Sequence, residues 1–336
     1  PYLLLKLIIL LTRELLELIF FCKFCLKNLL LSLTPIKLFL PVQLIIKRLF
    51  IVYFILIYLF PTFNLKSIEA EFDDFGIITI MYHRFEENKY PSTNIKMVDF
   101  VKHLEMIKKN EIKFINPSNF EDELKNNKKQ RKVLITIDDG YESFYKNAWP
   151  ILKKSQIPFI LFVSTREVGK KGYMSWEDIR ELDKFDFVEI GNHSHSHDYL
   201  IDFTNFDIKN DLKESISIFK KQLGKNSIFF SYPFGEYSTA LKDIVIDLGF
   251  KYAFGQHSGV VDHTKNFFEM PRFPINEKYG EIKRFKTILK TLPFPFKSIK
   301  PENRYISEKN NPPRVNIEFY QNIKNLKILI VFPMRR

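Results

Sequence analysis

The sequence predicts an α/β fold in which parallel strands alternate with covering helices. Three observations lead there. Hydrophobic residues make up 46% of the 336 residues, enough to fill a sizeable core. From Phe75 onward, short apolar runs of strand type alternate with segments of helical apolar spacing. The polar residues best suited to chemistry fall directly after apolar runs, where parallel strands deliver side chains to one mouth. Alternation by itself fits a closed barrel and an open doubly wound sheet equally well.

Taken in order, Ile77–Tyr82 reads as a buried strand. Val98–Asn110 has helical spacing at Phe100, Val101, Leu104 and Ile107, with His103 expected on its surface. A short strand, Lys113–Ile115, precedes a helix over Pro117–Asn127 with Ser118 as N-cap. Val133–Ile137 is a strand ending in Asp138-Asp139-Gly140. A helix over Phe144–Lys154 and a strand over Phe159–Val163 follow. Ser175 caps a helix over Ser175–Leu182, with Asp178 three residues on. Strand Phe187–Ile190 ends at Gly191-Asn192-His193. Then come a helix over Phe206–Leu223, a strand over Ile228–Ser231, a helix over Ser238–Leu248 and a strand over Tyr252–Phe254. Beyond the turn cluster Asn310-Asn311-Pro312-Pro313, Val315–Tyr320 and Leu326–Phe332 read as two strands. A hairpin alone is marginal, so it is expected to dock or to begin a further module.

Residues 1–46 form an apolar leader that starts at Pro1, ahead of the first methionine, Met81. This stretch reads as an over-extended frame or a fragment edge, the alternative being an additional membrane hairpin. Residues 47–70 read as a signal peptide or anchor. Lys47-Arg48 precede the apolar run Leu49–Phe60, and Ser67–Ala70 follow with a small residue at the end. The run is shorter than the roughly 20 residues that span a bilayer. Export with cleavage near Ala70 is therefore expected, to periplasm, envelope or exterior, with an uncleaved membrane anchor as the second reading. The main domain is placed at 72–297, and 298–336 is a C-terminal extension or truncated β module.

The formal charge of +12 comes from scattered lysines, and no recognition helix, zinc finger or RNP-like pattern accompanies it. Charge alone specifies no partner, so nucleic acid is not expected. The only cysteines, Cys22 and Cys25, form a C-x-x-C inside the leader with no second ligand pair. Neither a redox motif nor a disulfide framework is inferred from them.

Two constellations carry chemistry. In Thr136-Ile137-Asp138-Asp139-Gly140-Tyr141, adjacent carboxylates at a strand end project differently. One can bind a metal while the other stays free as a base toward water. Gly140 permits a tight exit from the strand. In His193-Ser194-His195-Ser196-His197, the outer imidazoles lie on one face if the segment is helical or tightly turned. With a distant aspartate they make a two-histidine, one-carboxylate site that leaves positions open, as catalytic zinc requires.

Together these motifs resemble those of the NodB-homology polysaccharide deacetylases, carbohydrate esterase family four. The family's T-F-D-D-G reads Thr136–Gly140 here, and its H-[ST]-x-x-H reads His193–His197. The likeness spans about Ile77–Pro274, with further agreement at Tyr173-Met174-Ser175-Trp176. It implies a distorted (β/α)7 barrel. It also implies Asp138 as catalytic base, and Asp139, His193 and His197 as ligands of a divalent metal, expected to be zinc. The family's third motif, R-x-P-[FY], reads Ser231-Tyr232-Pro233-Phe234, so the arginine that normally holds the base is replaced by Ser231. Arg272, in Met270-Pro271-Arg272-Phe273-Pro274, is the candidate substitute. The backbone N–H of Phe234 is expected to help hold an oxyanion.

No histidine follows Arg272, so the family's late general acid is missing. His83 ends the first strand and takes that role here, a pattern similar to the permuted branch that includes poly-N-acetylglucosamine deacetylases. Its pKa is expected to be raised by nearby carboxylates. His257 is the alternative. The implied activity is hydrolysis of N-acetyl groups on an amino-sugar glycan, with Tyr141, Trp176, Tyr232 and Phe234 as aromatic faces for the sugar. An O-acetyl xylan esterase and a non-catalytic glycan-binding envelope protein are the competing readings. Phosphoryl transfer ranks low, because the D-x-D arrangement it needs is absent.

Overall fold

Strand β1 (Ile77–Tyr82) starts a sheet whose neighbours arrive in sequence. The computed structural model describes residues 75–125, 130–303, 306, 309 and 312–320. The leader, the signal-like segment, the C-x-x-C and the strand expected at Leu326–Phe332 lie outside them. After β1 come the two-residue strands β2 (Arg84–Phe85) and β3 (Asn94–Ile95), which pair with each other. Helix α1 (Met97–Lys109), β4 (Lys113–Phe114), α2 (Phe120–Lys125) and β5 (Lys132–Ile137) follow. Next are α3 (Trp149–Ser155), β6 (Phe159–Val163), α4 (Trp176–Leu182), β7 (Val188–Asn192) and the long α5 (Asn205–Leu223). Strand β8 (Phe229–Ser231), α6 (Thr239–Asp247) and β9 (Tyr252–Phe254) complete the alternation. The chain then adds β10 (Val260–Val261), β11 (Phe273–Pro274), α7 (Ile282–Ile288), β12 (Phe296–Lys300) and β13 (Asn316–Phe319). Among the described residues no helix is long and apolar enough to cross a membrane.

The main sheet runs β10-β1-β5-β6-β7-β8-β9, and every pairing from β1 to β9 is parallel. It curls, as expected for the barrel. The segment 270–274 joins its two ends: Met270 forms a parallel bridge with Phe254 of β9, and β11 pairs in parallel with β1. Strand β10 is antiparallel to β1.

The period-2 alternation of side chains divides the core in two. Val133, Ile135 and Ile137 of β5 pack outward with Trp149, Leu152 and helix α1, whereas Leu134 points into the interior with Ile160, Phe162, Phe229 and Phe254. Continuing that interior row past Leu134 gives Thr136 and then Asp138, both fully buried. The same alternation sends Ile77 and Phe229 inward, and therefore His83 and Ser231 at the tops of β1 and β8.

Several boundaries differ from expectation for local reasons. Asn116, not Ser118, caps the turn before α2, its side chain accepting the Ser118 N–H. The helix after Phe144 opens with a π-type turn over Phe144–Ala148 before α3. Ser175 forms a full capping box with Asp178, as expected. His103 is not on the surface. It lies three residues after Phe100 and one before Leu104, on the buried stripe of α1, and is 0% exposed. It meets the Tyr82 hydroxyl at 3.0 Å and the Gly280 carbonyl at 2.7 Å, and stacks on Phe285. Strand β13 pairs with β12, so the boundary expected at 297/298 falls inside β12. Lys265 Nζ donates to the Phe296 carbonyl, tying that strand pair to the segment after β10.

Candidate active site

The site forms where β1, β5, β7 and β8 end. Asp138, at the top of the interior row of β5, meets the guanidinium of Arg272 in a two-pronged pair: Nη1–Oδ1 is 2.7 Å and Nη2–Oδ2 is 2.8 Å. Arg272 is 0% exposed. Its remaining donors reach the Gly255 carbonyl, Thr136 Oγ1 and Ser231 Oγ. A planar fork matched to a carboxylate in this way is beyond lysine. Arg272 also lies against the rings of Phe162 and Phe254. Burial pushes the Asp138 carboxyl up, but Arg272 and His193 outweigh it and hold the pKa below the usual carboxylate value.

Asp139 leaves the strand alternation with φ 73°, a left-handed conformation that costs a non-glycine residue energy. The turn carries its Oδ1 to 3.4 Å from His193 Nε2 and 3.1 Å from His197 Nε2. Those three ligand atoms lie within 4.8 Å of one another. A tetrahedral centre with ligands at about 2.1 Å has edges of roughly 3.4 Å, so the spacing suits one shared ion. Asp139 Oδ1 is buried and has no hydrogen-bond partner among the described residues. The imidazoles thus crowd the oxygen without aiming hydrogen bonds at it, which fits three donors converging on a cation. His193 Nδ1 lies 2.7 Å from the Ser231 carbonyl. A carbonyl only accepts, so Nδ1 carries the proton and Nε2 presents its lone pair. Burial raises the Asp139 pKa, yet the two imidazoles pull it well below the usual value. Burial lowers that of His197, and Asp139 more than reverses the effect.

A family model described as polysaccharide deacetylase matches residues 125–253. A poly-beta-1,6-N-acetyl-D-glucosamine N-deacetylase of Staphylococcus aureus (strain MSSA476) is 27% identical over 208 residues, covering 57% of this chain and 72% of that protein. The solved structure of IcaB from Ammonifex degensii superposes with a TM-score of 0.59 at 25% identity, covering 65% of this chain and 98% of that one. The Streptococcus pyogenes deacetylase PplD, in complex with acetate, gives a TM-score of 0.59 at 22% identity, covering 65% of this chain and 100% of that one, and speaks for the fold. The chain carries a polysaccharide deacetylase domain.

The sequence-predicted residues of the deacetylase domain mostly converge. Asp138, Asp139, His193, His197 and Arg272 meet as described. His83 is brought within electrostatic reach of both aspartates, and its Nδ1 is buried without a hydrogen-bond partner among the described residues. The carboxylates do push the His83 pKa up, but burial is the larger effect and the net shift is downward, opposite to expectation. His257 packs near Tyr237, and its carbonyl accepts the Arg272 N–H. Phe234, with φ 57°, is 38% exposed and lies against His197 and flat on Tyr199. Gly235 follows with φ 71°, and a Cβ there would lie 2.4 Å from the Gln256 backbone nitrogen, so that turn requires glycine.

Two of the four expected sugar-facing aromatics are engaged with the core of the deacetylase domain instead, Tyr232 within it and the half-buried Trp176 against it. Tyr232 is 0% exposed and donates to the Phe268 carbonyl. Trp176 packs edge-on against Phe219. Tyr141 remains close to Asp139, whose charge helps raise its pKa after burial, and carries the Arg84 guanidinium on its ring face. Sequence reasoning missed the role of Ser231. Its small side chain leaves room for the guanidinium that arrives from residue 272, and its carbonyl sets the His193 tautomer.

Proposed function

We propose that this chain is a metal-dependent N-deacetylase acting on N-acetylglucosamine-containing polysaccharide or oligosaccharide, yielding acetate and a free amino sugar. The observation that carries the reading is the convergence of Asp139, His193 and His197 beside the Asp138–Arg272 pair. The similarity to the staphylococcal N-deacetylase supports the substrate class. A divalent cation, zinc by the donor set, would supply Lewis-acid chemistry when bound, polarising a carbonyl and acidifying water. Asp138, ionised and fixed by Arg272, accepts the proton as water attacks the acetyl carbon. The Phe234 backbone N–H donates to the acetyl oxygen as charge builds there. The C–N bond then breaks, and His83 delivers a proton to the departing nitrogen. Since burial favours neutral His83 at rest, it takes up that proton from solvent as the site gains negative charge, and Asp138 returns its own proton to solvent after the products leave. The buried Arg272–Asp138 pair supports turnover over the non-catalytic reading, whose chief ground is the serine at position 231. Export is proposed from the signal-like pattern over 47–70.

The test is acetate release from poly-β-1,6-N-acetylglucosamine, chitooligosaccharide and acetylated xylan, with and without chelator. The proposal expects release from the amino-sugar glycans, loss on chelation and recovery with zinc. Release from xylan alone would make the chain an O-acetyl esterase. Glycan binding without release from any substrate, with zinc bound, would make it a binding protein.

A further inference from the structure

The loop carrying His193 and His197 is neither helix nor strand, and Ser194 and His197 both have positive φ, 67° and 56°. Such backbone persists only where neighbouring groups over-determine it. Helix α5 supplies those groups from well beyond the motif. We propose that Asp211 is a positioning residue that fixes which of the three histidines face the ion, an inference that rests on the metal site proposed above. Its Oδ1 accepts the His195 N–H and its Oδ2 the Ser196 N–H, both at 2.9 Å. Two adjacent amides held by one carboxylate set the rotation of the peptide between them, and such charge-assisted bonds are stronger than neutral ones. With that peptide fixed, His195 turns its ring to Thr165, Nδ1 lying 2.9 Å from Oγ1, and the flanking rings turn to Asp139.

One turn further along α5, Ser215 Oγ accepts from Asn192 Nδ2 at 2.8 Å, and Asn192 Oδ1 in turn accepts the Ser194 N–H. Asp211 and Ser215, four residues apart on one helix face, therefore hold both the entry to the loop and its middle. Ser215 is 0% exposed among Ile208, Leu212 and Phe219, so a polar pair interrupts an otherwise apolar stripe where the loop docks.

The experiment measures zinc affinity by competition with a chromophoric chelator, and the visible spectrum with Co2+, for the wild type, Asp211→Ala, Asp211→Asn and Thr204→Ala. Thr204 caps the same helix, accepting from the Asp207 N–H, and touches no part of the loop in the bonds described. Asp211→Ala should bind zinc about 10- to 100-fold more weakly, the range for lost supporting contacts, with an altered Co2+ band. Asp211→Asn keeps one acceptor and should fall between, and it carries the test if the alanine variant fails to fold. Thr204→Ala should melt lower and bind zinc as the wild type does. Wild-type affinity in both Asp211 variants, or an equal loss in Thr204→Ala, overturns the proposal alone. A wild type that binds no zinc overturns the metal site and this proposal with it.

Discussion

Replacing Arg272 with methionine removes five hydrogen bonds from a side chain with no solvent exposure. Methionine fills much of the same volume, so the main loss is electrostatic: Asp138, also 0% exposed, is left as a buried carboxylate without its counter-charge. Removing one partner of such a pair costs about 3–5 kcal/mol. For a domain of this size each kcal/mol moves the melting temperature by about 2–4 °C, so a drop of roughly 6–20 °C is expected. Arg272→Lys keeps the charge but not the fork and should fall between. In Asp138→Asn/Arg272→Met the neutral amide needs no counter-charge, so the double variant should melt above Arg272→Met. Thermal melts of the wild type, Asp138→Asn, Arg272→Met and the double variant by circular dichroism give the full cycle. A fall of less than 2 °C in Arg272→Met, or strictly additive losses, would refute the claim that the pair is what holds Asp138.

Asp139→Asn and His193→Ala should each abolish chelator-sensitive acetate release, and undiminished turnover in either rejects the ligand assignment. Burial lowers the His103 pKa from 6.5 to about 4, so between those pH values the unfolded chain binds a proton that the folded chain does not. Its contribution is complete above pH 6.5 and is lost as pH falls toward 4, by about 3 kcal/mol in all. Urea unfolding from pH 4 to 7 should show this slope in the wild type and a flatter one in His103→Gln; equal slopes would count against it. Ser175→Ala breaks the capping box at α4 and should lower stability by about 1 kcal/mol without changing acetate release per folded molecule. A melt unchanged from the wild type would show that the box contributes nothing.

What could be read from the sequence follows from how local each signal is. Ile77–Tyr82 and Phe159–Val163 are apolar runs buried on both faces, and both strands match to the residue. The two-residue strands β10 and β11 have no periodicity to detect; their pairing depends on β1, some 180 residues away. His103 shares the spacing of Phe100, Leu104 and Ile107 and so lies on the buried face; a histidine's polarity points to the surface, and the spacing prevails. Within the site, Asp138, Asp139, His193 and His197 stand together in short motifs, whereas Arg272 was legible only as the one arginine between prolines near the end of the domain. Asp211 was not legible at all. Its partners are backbone amides, which leave no mark on the identity of the residues that own them.

The segment that joins β9 to β1 also sets an order of events. The Asp138–Arg272 contact spans 134 residues of chain. During synthesis the strands from β1 to β9 are all made before position 272, so the incomplete domain holds a buried-type aspartate whose guanidinium does not yet exist. Contacts of such long separation form late and slow folding. Completion of the candidate site is thereby coupled to near-completion of the polypeptide, and a chain released before residue 274 lacks a complete strand to seal the sheet, while one released before residue 272 also lacks the cation that holds Asp138.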